Sequence, residues 1–247
     1  MDRFTGEGQR VAFFGGSFDP PHLGHLAVAR TAREALRLDR VLFTPVGAQP
    51  LKPTGSTASY ADRLRMTELA ISGEPGFEIS LADAPRAGKP NYSLDTLSAL
   101  RAELGTEGQL FFLMGADSFF GLRRWHRSAE IPFAASLIVA SRPGEPLVDV
   151  AAALPEGLSL EDAPDFEFPS GAGMVQRYLL HNRSGAAASF YLLPGLHVDI
   201  SATQIREQIQ SGENRQKNFF NSLPHAVVDY IRSHGLYRSL APTPTRD

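Results

Sequence analysis

A chain of 247 residues that is 43% hydrophobic, with a formal net charge of −3, suits one large α/β domain and offers no bulk attraction to nucleic acid or to an anionic membrane. It contains no cysteine, which excludes disulfides and thiolate chemistry. The polar start MDRFTGEGQR lacks the apolar core of a signal peptide and no apolar run reaches the length of a membrane span, so a reducing, cytoplasmic setting is the expectation.

In chain order, residues 1–9 read as a loose lead-in, followed by a buried strand over about 10–14 built on Val11, Ala12, Phe13 and Phe14. The stretch GGSFDPPHLGH, Gly15 to His25, comes next and opens a helix over about 23–37 with Leu26, Val28, Ala29, Ala32, Ala35 and Leu36 on its apolar positions. RVLFT, 40–44, is a second strand, and Pro45, Gly47 and Pro50 then break regular structure ahead of a long loop to residue 59. Tyr60 to Ile71 reads as a helix setting Leu64, Leu69 and Ile71 against a polar face of Arg63, Arg65 and Glu68. A third strand spans 77–81, and Ser93 is the expected N-cap of a helix over 94–104. QLFFLM, 109–114, and LIVA, 137–140, are buried strands, with short helical pieces over 119–125 and 129–135 between them. Residues 145–188, rich in Ala, Gly, Pro and Ser, read as loops with one helix around Val175–Leu180; 190–193 is a last strand, and 201–210 and 223–233 are helices. Alternating strands and helices predict a mainly parallel sheet covered on both faces, whose ligands sit beyond the carboxyl ends of the strands. The expected organisation is one domain, with a core over about 10–200, a small C-terminal helical part over 201–238 and a tail over 239–247. A homo-oligomer stays open.

Two stretches carry chemistry. A Gly-Gly turn or an Asp-Pro-Pro step alone is ordinary punctuation, but together with His22 and His25 at a strand-to-helix junction they form an anion pocket. Gly15 and Gly16 let the main chain approach a phosphate, the N–H groups of the first helical turn face it, and the histidines add donors that follow charge as it builds. The second stretch is DISATQIR, Asp199 to Arg206: Ser201 is positioned to cap a helix, with Thr203 and Arg206 on one face of its first turns, a set that suits a pyrophosphate-like anion. Only Lys52, Lys89 and Lys217 among the 24 basic residues are lysines, so a lone arginine elsewhere says little.

The pattern G-[ST]-F-D-P-x-H-x-G-H resembles the signature of the nucleotidyltransferase superfamily of adenylyl- and cytidylyltransferases, and the late S-A-T-x-I-R element matches its second motif. Residues 10–238 most resemble the bacterial nicotinate-nucleotide adenylyltransferases, through PNYSLDTL (90–97), GADS (115–118) with Trp125 behind it, SRPG (141–144) and LPHAVVDYIRSHGLYR at the end. The resemblance implies a Rossmann-like fold and transfer of AMP from ATP to nicotinate mononucleotide, with Mg²⁺ accompanying ATP and no dedicated protein metal site. It implies His22 and His25 at the α-phosphate, and Gly15, Gly16, Ser17, Phe18, Gly115, Asp117, Ser201, Thr203 and Arg206 at ATP. Lys52, Tyr92, Ser93, Trp125 and His126 would hold the mononucleotide, with Trp125 stacked on the pyridine ring and the main-chain amide of His126 on its carboxylate. Asp19 is expected to brace its own turn. The sequence departs from the family at Leu51, where a histidine is usual, and at His126, often another aromatic residue. Nicotinamide mononucleotide, or another phosphate ester, is the nearest alternative acceptor; a nucleotide-binding regulator without catalysis is the alternative from another class. A dehydrogenase is disfavoured because G-x-G-x-x-G does not follow the first strand.

Overall fold

The unbroken apolar runs of the sequence are strands buried on both faces. The computed structural model describes residues 8–51, 55–141, 147–163, 175–193, 201–211 and 220–238. Its strands are β1 (Arg10–Gly16), β2 (Arg40–Pro45), β3 (Phe77–Ile79), β4 (Gln109–Gly115), β5 (Ser136–Ala140), β6 (Leu158–Asp162), β7 (Gln176–Asn182) and β8 (Ala187–Leu193). They form one sheet in the order β3-β2-β1-β4-β5-β8-β7-β6. The first five and β8 run parallel, and β7 and β6 close one edge as antiparallel strands.

Alternation along the parallel strands sorts the core into two layers. On one face Phe13, Phe112, Met114, Leu137, Val139 and Phe190 pack with Leu94, Leu97 and Leu100 of α3 (Ser93–Leu104) and Ile131 of α5 (Ile131–Ala134), which follows the short α4 (Ala116–Phe120). On the other, Ala12, Phe14, Phe43, Leu113, Ile138 and Tyr191 meet Leu26, Ala29, Ala32 and Ala35 of α1 (Leu23–Ala35). The alanines let α1 lie close on the sheet, so its first turn stands directly beyond the end of β1.

A third apolar cluster joins α2 (Tyr60–Ile71) to the C-terminal helices: Met66 and Ala70 pack with Ile205 of α7 (Ala202–Gln210), with Val227, Val228 and Ile231 of α8 (His225–Ser233), and with Leu223 and Tyr237. Ile205 is the one buried residue of α7, so burial anchors that helix through a single side chain, worth about 2 kcal/mol.

Several expectations need correction. The helix expected around Val175–Leu180 is strand β7, and 145–188 carries α6 (Leu147–Ala152), β6, β7 and the start of β8. Tyr178 and Leu180 are buried in β7, so the period is two rather than 3.6. The third strand stops at Ile79. Tyr92, not Ser93, is the N-cap of α3, and it caps with no side-chain bond. The buried face of α2 is Arg63, Met66, Thr67, Ala70 and Ile71, which places Arg63 inside rather than on the polar face.

Candidate active site

In the strand order β3-β2-β1-β4-β5 the direction of winding reverses between β1 and β4, and a crevice opens there beyond the strand ends. β1 ends at Gly15-Gly16 and β4 at Gly115, and a cavity of about 650 Å³ lies between their loops, a size suited to a mononucleotide. Gly15, Gly16 and Ser17 form one wall; Tyr92, Ser93, Asp117, Trp125 and His126 are on others. Trp125 is half-buried against Phe112, ring centroids 6.1 Å apart, and the rings of Tyr92 and His126 stack at 4.3 Å.

The wall over β2 is sewn to the loop before α3. Gly47 donates its N–H to Asp83 O at 2.7 Å, and a Cβ on Gly47 would meet Pro85 N at 2.5 Å, so only glycine fits. Asn91 accepts from Ala48 N and donates to Ala84 O, both at 3.1 Å, while Gln49 donates to Ser17 Oγ at 2.9 Å. Asp83 lines the cavity. Burial pushes its pKa up, against the hydrogen bond that Thr96 Oγ1 donates to it.

The histidine turn follows Gly15–Ser17 in the chain, and neither imidazole lines the cavity. His22 is the N-cap residue of α1, in extended conformation, and the first turn of α1 carries no acidic side chain to compete for the helix N-terminus. The two imidazoles lie 3.7 Å apart, centre to centre, and His25 Nδ1 accepts the main-chain N–H of His22 at 3.1 Å. That bond assigns the neutral ring's proton to Nε2. Phe18, with φ +47°, turns its ring into the core, where it meets His25 edge-on at 5.0 Å, so a nucleotide contact at this position falls to its main chain. Burial lowers the His22 pKa to about 4, and burial together with His22 lowers that of His25 well below its usual value; both rings are neutral at pH 7 in the free protein.

Stability follows with a definite sign. The unfolded His22 takes up its proton near pH 6.5 and the folded one only near 4, so the unfolded state binds more protons between these values and stability falls as pH falls through that window. Urea melts at pH 7.5 and 4.5 should show His22→Gln losing less stability over that interval than the wild type, by up to about 3 kcal/mol. Equal losses would mean that the ring ionises normally in the fold.

α7 presents its arginine to the same turn. Arg206 Nη1 donates to the main-chain oxygen of Asp19 at 2.7 Å, and Nη2 to Thr203 Oγ1 at 3.2 Å. Thr203 is exposed, and Ser201 is the N-cap residue but makes no side-chain capping bond, contrary to expectation. Asp19 does not merely brace its own turn. Its buried carboxylate accepts from Thr57 N at 2.6 Å, Ala58 N at 3.1 Å and Tyr237 Oη at 2.7 Å, tying down segments far along the chain. Asp117, expected at ATP, lies on the cavity wall with Trp125, and Lys52 falls outside the described residues.

Sequence reasoning missed two groups. Arg63, 2% exposed, donates to Ser17 O at 2.6 Å and Val46 O at 2.8 Å, joining the two loops that flank the cavity. Arg124 is the one arginine or lysine among the described residues lining the cavity; its neighbour Trp125 was the available signal.

Strand order, a glycine turn at the switch point, paired imidazoles at the head of α1 and an arginine of α7 bonded to the turn before them fit a nucleotidyltransferase of the α/β type. The chain matches the Cytidylyltransferase-like family over residues 13–208. It is 38% identical to a "probable nicotinate-nucleotide adenylyltransferase" of Gloeobacter violaceus over 93% of this chain and 97% of the relative, and 40% identical to one of Stenotrophomonas maltophilia over 94% and 97%. The chain therefore belongs to the Cytidylyltransferase-like family, on its nicotinate-nucleotide adenylyltransferase branch. A Plasmodium falciparum nicotinic acid mononucleotide adenylyltransferase complexed with NaAD shares the fold, with a TM-score of 0.66 at 16% identity over 93% of this chain and 97% of that one. No helix among the described residues is long and apolar enough to cross a membrane.

Proposed function

We propose that this chain transfers AMP from ATP to nicotinate mononucleotide, giving deamido-NAD and pyrophosphate. An oxygen of the mononucleotide's phosphate attacks the α-phosphorus of ATP. The bond from that phosphorus to the oxygen bridging to the β-phosphate breaks, and pyrophosphate leaves with the electron pair. The attacking phosphate is already ionised near neutral pH, so no general base and no covalent enzyme intermediate are required. Alignment and charge stabilisation supply the rate.

The observation that carries this reading is the junction at Gly15–Ser17. An aromatic cavity of mononucleotide size is lined by it, two neutral imidazoles pair at the head of the helix that follows, and Arg206 bonds the main chain of the same turn at Asp19. On this reading Trp125, Tyr92 and Ser93 hold the mononucleotide, and the His126 amide takes the nicotinate carboxylate. His22, whose Nδ1 is buried without a partner among the described residues, and His25 contact the α-phosphate. Thr203 and Arg206 hold the β- and γ-phosphates. Mg²⁺ accompanies ATP as part of the substrate, neutralising phosphate charge. On this reading its ligands are mostly phosphate and water oxygens, and the Asp19 carboxylate is engaged with Thr57, Ala58 and Tyr237.

The test is a paired assay of nicotinate and nicotinamide mononucleotides with ATP, reading pyrophosphate. The nicotinate form should be the better acceptor, and a preference for nicotinamide would overturn the substrate assignment. In the same assay Trp125→Ala should raise the mononucleotide KM about tenfold, the loss of one aromatic stack, while the ATP KM stays within twofold. A rise in the ATP KM alone would remove Trp125 from the acceptor site.

A further inference from the structure

The polar tether between the C-terminal turn and the histidine turn has no role in the chemistry described so far. Tyr237 follows α8 with φ +64°, a backbone conformation that costs a non-glycine residue about 1 kcal/mol or more and persists where its surroundings hold it. Its ring is buried in the third apolar cluster, and its hydroxyl donates to Asp19 Oδ1 at 2.7 Å across 218 positions of sequence. Burial and the Asp19 charge hold the phenol protonated, so it stays a donor. The other polar contacts of Asp19 all come from elements around the turn. Thr57 N and Ala58 N bond the carboxylate, and Arg206 bonds the main-chain oxygen. One residue thus links the turn that opens α1, the segment that enters α2, the last turn of the chain's helical part, and α7. Because α7 buries only Ile205, its orientation depends on such polar tethers.

We propose that Tyr237 is a positioning residue for adenylyl transfer: through Asp19 it fixes the histidine turn and the Arg206 helix relative to one another, and so sets where the triphosphate lies. This rests on the adenylyl-transfer reading above.

Tyr237→Phe keeps the ring in its cluster and removes only the hydroxyl. We expect kcat/KM for ATP to fall about tenfold while the mononucleotide KM stays within twofold, since neither Asp19 nor Tyr237 lines the cavity at Trp125. A double-mutant cycle with Arg206→Ala separates positioning from general weakening. If the hydroxyl acts through Arg206, its removal in the Arg206→Ala background costs less than twofold. Leu223→Ala loosens the same cluster without touching Asp19 and controls for instability; it should lower the melting temperature at least as much as Tyr237→Phe and leave kcat/KM for ATP within twofold. An equal loss in both backgrounds, an equal loss in Leu223→Ala, or no loss in Tyr237→Phe overturns the proposal. The same cycle read as affinity for a non-hydrolysable ATP analogue tests it apart from turnover. A wild type that binds the analogue but transfers nothing would defeat the functional reading, and the binding cycle would then decide this proposal alone.

Discussion

His25→Ala should lower kcat by about 10²–10³-fold, the usual loss when one oriented donor to a developing oxyanion is removed. In the free protein both imidazoles are neutral, because burial disfavours their charged forms. A neutral ring donates from one nitrogen only. Since His25 Nδ1 accepts the His22 N–H, Nε2 is its donor, and the α-phosphoryl oxygens gain charge as pyrophosphate departs. As that charge grows the Nε2–H bond to it strengthens, without any proton passing to or from the reacting atoms. Alanine also leaves the His22 N–H unpaired, which costs stability by about 1–3 kcal/mol. His25→Asn separates the two effects: its side-chain oxygen can accept the same N–H, so melting temperature should recover while turnover stays low. Near-normal turnover in either variant would take the histidine out of the mechanism.

The legibility of this fold followed the physics of each segment. QLFFLM and LIVA could only be strands buried on both faces, and they are. The antiparallel strands β6 and β7 were opaque because neither carries a long continuous apolar run and their neighbourhood is rich in residues typical of loops. Ser93 and Ser201 carry capping chemistry in the sequence, yet neither side chain caps, because hydroxyl identity does not settle the rotamer or the boundary. At the site, the two motifs announced their residue types. The contact that joins them, Arg206 to the main chain of Asp19, spans 187 positions and uses a carbonyl that every residue possesses. No local pattern could signal it. Phe18 shows the converse: it sits inside the motif and looks like a ligand contact, but its left-handed backbone sends the ring beneath His25.

Arg63 shows how a polar core residue escapes a search for apolar periodicity, and its replacement should cost a large share of the fold's stability. The buried face of α2 runs 63, 66, 67, 70, 71, an ideal amphipathic spacing in which two of the five residues are polar. Thr67 answers its own burial by donating to Arg63 O at 2.7 Å. Arg63 is held by two main-chain carbonyls, by the face of Tyr60 at 5.6 Å and by the nearby Asp19 charge, while burial lowers its pKa. Arg63→Ala removes the planar fork, opens a cavity and takes away the guanidinium donors to Ser17 O and Val46 O. Together these should cost about 3–5 kcal/mol, or on the order of 10 °C in melting temperature for a chain of this size. Arg63→Lys keeps the charge but cannot span both carbonyls, so it should fold with a smaller loss. Ser17 and Val46 both line the cavity, so the lysine variant should also show a raised mononucleotide KM, with kcat changed less. Wild-type melting behaviour in Arg63→Ala would mean that the guanidinium only fills space, and an unchanged KM in Arg63→Lys would mean that the two loops hold the cavity without it.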